Sequence, residues 1–150
     1  MSQSLVMNWV HLVFSTKHRE PTIPPEHGPD LYAYQTGILM GWESLVDSIG
    51  GTEDHVHILF SLSKNQALKK VVEEVKKGSS KWMKTAGPQN ARFYWQAGYG
   101  AFSVSQSNLE KVREYIANQA EHHRKLTFQE EFRAMCERHS VALDERYAWD

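Results

Sequence analysis

The residues of this chain with the clearest capacity for chemistry are a histidine pair and, further along, a tyrosine and a glutamine. In a β-strand, residues i and i+2 leave the same face roughly 6.6 Å apart, so His55 and His57 can turn toward one cation. In a helix, residues i and i+4 lie one turn apart, so Tyr115 and Gln119 share a face. Two imidazoles, a carboxamide oxygen as third ligand and an adjacent phenol predict metal-assisted phosphoryl transfer with Tyr115 as nucleophile.

The predicted ligands suit a divalent cation, which offsets the negative charge that protects a phosphodiester from nucleophiles. The oxygen of Gln119 favours Mg²⁺ or Mn²⁺, although two imidazoles also accept Zn²⁺ or Ni²⁺. A tyrosine has a pKa of about 10, so Tyr115 attacks at neutral pH only if its proton leaves during the reaction or the cation lowers that pKa. The covalent product keeps the bond energy for rejoining, which distinguishes strand transfer from hydrolysis.

Several other polar residues are candidates to support this site. His11 and Asp54 would lie beneath it or orient a ring, and a core histidine and a turn residue are the alternatives. His122 and His123 are candidates for contact with phosphate or metal. A solvated pair at the C-terminus of a helix is the alternative for them.

The composition predicts one soluble, unexported domain in the reducing cytoplasm. Its 150 residues are 41% hydrophobic and 23% charged, which is typical of a globular protein. Cys136 is alone, so an intrachain disulfide and a cysteine-rich zinc site are excluded. No run approaches the roughly 18 apolar residues of a membrane span, and the N-terminus lacks the basic region of a signal peptide.

The net charge of −1 conceals a basic segment between residues 64 and 84, where seven lysines stand against two glutamates. This segment predicts a surface that holds DNA phosphates, together with Lys17 and Arg19. We expect exposed aromatic residues to stack on unpaired bases. A solvated helix face is the alternative. The predicted DNA-binding residues are Lys17, Arg19, Lys69, Lys70, Lys76, Lys77, Lys81 and Lys84.

Hydrophobic periodicity and turn residues predict the elements that position these side chains. The pair Gly50-Gly51 predicts a hairpin turn, which puts the two histidines on the second strand of the hairpin. Ser107 and Glu110 match a capping box at the start of the helix that carries Tyr115. The predicted strands cover residues 5–15, 45–49, 55–62, 92–95 and 101–104, and the predicted helices cover 30–42, 66–84, 108–123 and 128–139.

The order of these elements predicts an α+β fold. Two βαβ units around an antiparallel hairpin are the ferredoxin-like pattern βαββαβ, an antiparallel sheet with helices on one face. C-terminal helices that carry the tyrosine complete the chain. We expect the other face of the sheet to be free for a partner or a substrate.

Five segments resemble, in order and spacing, the small single-tyrosine transposases of IS200-like insertion sequences, which are HUH endonucleases. The similarity spans about residues 9–125, and five motifs in register are far more specific than any one. The segments are HLVFSTK at 11–17, DHVHIL at 54–59, KGSS at 77–80, WQAGYGAFSVS at 95–105 and YIANQ at 115–119.

The resemblance implies an enzyme that cleaves and rejoins single-stranded DNA at element ends marked by imperfect hairpins. It implies that Tyr115 forms a 5'-phosphotyrosine and frees a 3'-OH, and that His55, His57 and Gln119 hold Mg²⁺ or Mn²⁺. It also implies a homodimer whose composite sites pair the histidines of one chain with the tyrosine helix of the other.

On this basis residues 1–150 form a single transposase domain, with an endonuclease core at about 5–125 and a helical extension at 126–150. The extension resembles only a subset of the family.

Three other functions fit parts of the sequence. A domesticated, repeat-associated tyrosine transposase would process chromosomal palindromes by the same chemistry, and only the flanking DNA separates it from a mobile element. A phosphoesterase of the two-histidine-motif type would use water, but it needs two His-x-Ser/Thr motifs and only one histidine pair is present. A non-catalytic nucleic-acid-binding or metal-storage module on the ferredoxin-like fold would form no covalent adduct with DNA.

Overall fold

Four antiparallel strands form one sheet at the centre of the molecule, in a computed structural model that describes residues 2–150. The strands are β1 (Trp9–Ser15), β2 (Leu45–Gly51), β3 (His55–Ser61) and β4 (Gly100–Ser103). Their order is β2-β3-β1-β4, and β1 is buried along its whole length, as its β-branched and aromatic residues predict.

The described part of the chain contains five α-helices, which lie against this sheet and cover both of its faces. No helix within residues 2–150 is long and apolar enough to cross a bilayer. The helices are α1 (Gly28–Gly41), α2 (Leu68–Thr85), α3 (Leu109–Ala117), α4 (Gln119–His122) and α5 (Phe128–Arg138).

The main core lies between one face of the sheet and the helices α1 and α2. Leu12 and Phe14 of β1 point into it, and Leu39 of α1 and Val75 of α2 pack against them. Side chains alternate across a strand, so only every second residue of β1 and β3 faces this core. The strand order and these two helices confirm the predicted ferredoxin-like α+β fold.

The opposite face of the sheet is covered by the C-terminal helices of the same chain. Leu59 of β3 packs with Ile116 of α3, and Val13 of β1 packs with Phe132 of α5. The expectation that this face is free is therefore wrong. The physical reason is that three large apolar residues of β1 and β3, Trp9, Val13 and Leu59, also point to this side and have to be buried.

The predicted helix at 108–123 is interrupted at Asn118, which has φ −103° and ψ 22° and separates α3 from α4. Asparagine is among the weaker helix formers, so a break is easily accommodated there. The predicted capping box at Ser107 is also wrong, because a 3-10 turn precedes α3 and makes Asn108 its N-cap. A capping box is present instead at Thr127 and Glu130, at the start of α5.

Two predictions about strands are also corrected. The segment 92–95 is not a strand, and only Trp95 forms an isolated bridge, with Thr16. Gly50 and Gly51 are not the hairpin turn but the last residues of β2. A Cβ atom at Gly50 would lie 2.5 Å from the carbonyl oxygen of Ile116. Glycine at this position therefore allows α3 to approach the sheet closely.

We expect Gly50→Ala to lower the free energy of unfolding by about 1–3 kcal/mol, because the added methyl group pushes α3 away from β2. Denaturant titration followed by tryptophan fluorescence measures the change. Gly37→Ala in α1 is the matched control, since nothing lies within 4 Å of a Cβ there. The control should gain roughly 0.5–1 kcal/mol through better helix propensity. A Gly50→Ala protein as stable as the parent would contradict the close approach of α3.

Candidate metal centre and adjacent tyrosine

The two histidines of β3 project from one face of that strand, as their spacing predicts. Their ring centroids lie 5.1 Å apart, and both side chains are fully buried. They point to the side of the sheet that the C-terminal helices cover. The site is therefore enclosed by the chain's own helices.

Asp54 and Thr52 fix the orientation of the His55 ring. Nδ1 of His55 lies 2.6 Å from Oδ1 of Asp54 and 3.0 Å from Oγ1 of Thr52. This leaves Nε2 directed at the site, 2.8 Å from Oε1 of Gln119. Burial disfavours the charged ring, but Asp54 and Glu131 outweigh it and raise the pKa of His55 to about 9. A cation bound at Nε2 would displace the proton held there.

His11 orients the second ring from below. Its Nε2 lies 2.8 Å from Nδ1 of His57, whose Nε2 then lies 2.9 Å from Oε1 of Glu131. Burial lowers the pKa of His57 to about 4 despite the neighbouring carboxylate, and it lowers the pKa of His11 to about 3. The sequence candidates His11 and Asp54 thus each contact one of the two rings.

Glu131 of α5 is the residue of this site that the sequence prediction missed. It is 2% exposed, and its Oε1 lies 3.4 Å from Nε2 of His55 and 3.2 Å from Nε2 of His123. Burial disfavours its charge, but the histidine rings around it hold the pKa of Glu131 well below its usual range. A signal was present in the sequence, because Glu131 shares the apolar side of α5 with Phe128 and Met135.

The donor set fits a divalent cation. One ligand atom from each of His55, His57 and Glu131 lies within 4.8 Å of the others, and ligands about 2.1 Å from a metal stand roughly 3 Å apart. Gln119 lies at the same centre, where its Nε2 donates to Oε2 of Glu131 at 3.0 Å. The structure therefore brings the three predicted ligands together and adds a carboxylate, which would offset one unit of the cation's charge.

Tyr115 lies beside this centre. Its hydroxyl donates to Oε2 of Glu131, and its ring centroid is 5.7 Å from that of His57. The ring of His122 stacks on Tyr115 at 4.5 Å, so this candidate contacts the tyrosine rather than the metal ligands. Burial and the Glu131 charge raise the pKa of Tyr115. All of these groups belong to one chain.

The predicted DNA-binding lysines of α2 lie on the other side of the sheet, because α2 packs against the opposite face. Lys76 does not fit the predicted role. Its ammonium group donates to the carbonyl oxygens of Gln96, Ala97 and Gly98 at 2.6, 3.1 and 2.8 Å. Burial lowers the pKa of Lys76 to about 8, so this side chain holds a loop instead of facing solvent.

Two other predicted DNA-binding residues flank the exposed ring of Tyr94. Lys84 lies 4.2 Å and Lys17 5.9 Å from its centroid. Arg19 is directed to the C-terminal segment, where it donates to the carbonyl oxygen of Trp149 at 3.2 Å. The remaining lysines of the prediction lie on the outer surface of α2, with Lys70 paired to Glu74. Three of these are unpaired within residues 2–150, namely Lys69, Lys77 and Lys81.

A family model described as "Transposase IS200 like" matches residues 5–119. The match includes all five segments on which the resemblance rests and ends at Gln119, so α5 and Glu131 lie outside it. None of the curated proteins compared with this chain is similar enough to match it.

Two solved structures share the fold. A candidate transposase from Deinococcus radiodurans R1 is 22% identical, with a TM-score of 0.61 over 79% of this chain and 96% of that one. A REP-associated tyrosine transposase bound to a REP hairpin is 12% identical, with a TM-score of 0.61 over 82% of this chain and 74% of that one.

We expect Glu131→Gln to weaken Mn²⁺ binding by at least about tenfold, because it removes the one anionic donor of the centre while keeping its shape. Isothermal titration calorimetry with Mn²⁺ measures the change. Glu137→Gln, an exposed position on the same helix, is the control and should bind as the parent does. Equal affinities in all three proteins would remove Glu131 from the ligand set.

Proposed function

This chain belongs to the family of IS200-like transposases, and we propose that it cleaves and rejoins single-stranded DNA through a covalent bond between Tyr115 and a 5'-phosphate. One observation supports this role above all others. The Tyr115 hydroxyl donates to the same carboxylate that reaches the rings of His55 and His57. Glu131 thereby contacts both the proposed nucleophile, Tyr115, and the two histidines that would bind the cation.

In the proposed step, Oη of Tyr115 attacks the scissile phosphorus and the bond from phosphorus to the 3'-oxygen breaks. The products are a 5'-phosphotyrosine and a 3'-OH, since the leaving oxygen takes up one proton. The Tyr115 hydroxyl donates to Oε2 of Glu131 at the start, and this carboxylate takes the phenol proton as Oη attacks. The proton that the leaving oxygen gains is thereby balanced by the proton that Tyr115 loses. Attack by another 3'-OH reverses the step and reseals a strand without an external energy source.

The residues that would hold the divalent cation, Mg²⁺ or Mn²⁺, are His55, His57 and Glu131, with Gln119 at the same centre. When bound, the cation offsets the charge of the scissile phosphate. His11 and Asp54 keep the two rings in the orientation that ligation needs.

The partner we propose is DNA that contains a hairpin. Such a hairpin would mark the end of a mobile element or form at a chromosomal palindrome. The solved relative bound to a REP hairpin supports this choice, and such a substrate would place the protein in the cytoplasm. The hairpin phosphates would contact a basic surface that does not read the DNA sequence. This surface consists of the exposed Lys77 and Lys81 and the basic residues around Tyr94.

The homodimer that the resemblance implies stays a prediction. The geometry supports a site assembled within one chain, because Tyr115 and Gln119 already contact Glu131 or His55 of their own chain. A dimer with composite sites would require α3 and α4 to leave these positions.

Tyr115→Phe should abolish the covalent adduct and leave hairpin binding unchanged, because only the nucleophilic oxygen is lost. The assay uses a labelled pool of hairpin oligonucleotides with randomised single-stranded flanks, incubated with Mn²⁺ and separated on a denaturing gel. Tyr147→Phe, at an exposed position, is the control and should form the adduct as the parent does. An adduct with Tyr115→Phe would assign the nucleophile to another residue.

Mixing two inactive proteins distinguishes a site within one chain from a composite site. We expect a mixture of Tyr115→Phe and His57→Gln to remain inactive, since neither chain holds both the nucleophile and the histidine. Circular dichroism first establishes that each variant is folded. In a composite dimer the mixture would regain about a quarter of the parental adduct, since half of the dimers would be mixed and each would hold one intact site. That recovery would contradict assembly within one chain.

A further inference from the structure

A cleft of about 370 Å³ opens beside Tyr115. Tyr115 and His11 contribute to its lining, so it adjoins the candidate site directly. Its other walls come from α3, from α5 and from the end of β4. The volume lies within the range of roughly 300–1,000 Å³ that is usual for ligand clefts.

The charged wall of the cleft follows from helical spacing. Lys111 lies one turn before Tyr115 on α3, and Arg138 lies seven residues after Glu131 on α5. Residues at these spacings share a helix face. Lys111 therefore lies on the same face of α3 as Tyr115, and Arg138 lies on the same face of α5 as Glu131. Lys111 and Arg138 both line the cleft.

These two positive charges have no acidic partner among the residues that the structure describes. Neither Lys111 nor Arg138 forms an ion pair within residues 2–150, whereas Arg113 and Arg133 on the same helices are each paired with a carboxylate. The charge of Arg138 also acts on the phenol, where it opposes the rise in the pKa of Tyr115 that burial and Glu131 cause. A polyanion that enters the cleft would therefore meet two uncompensated cations next to the nucleophile.

The rest of the cleft is suited to a sugar and a base. Val104, Val112 and Met135 supply an apolar wall, and Asn108 and His139 supply polar groups. A mixture of apolar surface with a few polar and charged groups is typical of sites that bind an organic phosphate.

We propose that this cleft binds the nucleotide next to the scissile phosphate, with the nucleotide's own phosphate held by Lys111 and Arg138. The proposal rests on the proposed function and assigns the DNA contacts on the side of the sheet where the tyrosine lies. The lysines of α2 cannot supply these contacts, because they lie on the opposite face. Arg138 also gives the extension at 126–150, which the family match does not reach, a direct role in DNA binding.

The test compares Lys111→Gln/Arg138→Gln with the charge-matched control Lys125→Gln/Arg146→Gln, all with Tyr115→Phe so that no strand is cut. The probe is a fluorescein-labelled single-stranded DNA decamer of random sequence, and fluorescence anisotropy gives its Kd at several NaCl concentrations. Each contact with a phosphate of a single strand contributes about 0.7 to the slope of log affinity against log salt. We expect the slope to fall by about 1.4 in the cleft variant and to stay unchanged in the control.

An unchanged slope in the cleft variant would overturn the proposal, and so would an equal fall in the control, which would show an effect of net charge alone. If the double variant does not melt cooperatively, Lys111→Gln and Arg138→Gln should each lower the slope by about 0.7. Binding is measured on a protein that cannot cleave DNA. The result is therefore independent of whether the parent forms a covalent adduct, and a failure of this proposal is separate from a failure of the proposed function.

Discussion

The arrangement of the site depends on the buried carboxylate of Glu131. A charge that is 2% exposed persists only with hydrogen-bond donors and a compensating positive charge around it. His57, Gln119 and Tyr115 all contact this carboxylate, so β3, α3, α4 and α5 meet at one group. A proton on His55 supplies the positive charge in the chain itself, and a divalent cation would supply more. The same electrostatic requirement thus accounts for the convergence of these side chains on Glu131, and it would favour a divalent cation at this centre.

Helix α5 reaches this position through its own local signals and through apolar packing. The capping box of Thr127 and Glu130 fixes where the helix begins, and Phe128 and Phe132 bury its inner side against the sheet. The second face of the sheet is therefore closed by the chain itself. This closure brings Glu131 to the histidines and to Tyr115, so the extension contributes to the site as well as to the stability of the fold.

Basic charge is divided between two sides of the molecule. The lysines on the outer surface of α2 and the residues around Tyr94 form one basic surface, and Lys111 and Arg138 form another beside the tyrosine. A DNA substrate with a folded hairpin and a single-stranded flank has two parts with different requirements. The division of charge fits the proposed substrate, since the duplex would need only phosphate contacts and the flank would have to be positioned at a reacting atom.

The sequence alone determined the parts of this protein that depend on local spacing. Period-2 and period-3.6 patterns gave the ferredoxin-like fold, and i, i+2 and i, i+4 spacing identified His55 and His57 on one strand face and Tyr115 and Gln119 near one another. Glu131 was not identified as a site residue. The sequence does not show which side chains a carboxylate on an apolar helix face will contact until the position of that helix on the sheet is known. The role of Gly50 could likewise not be predicted from the sequence. It depends on the close approach of a helix that lies more than sixty residues away in the chain. Tertiary structure alone decided that the face of the sheet with the site is closed by α3 and α5, because the packing of a helix on a distant strand depends on which apolar surfaces remain to be buried and not on local spacing.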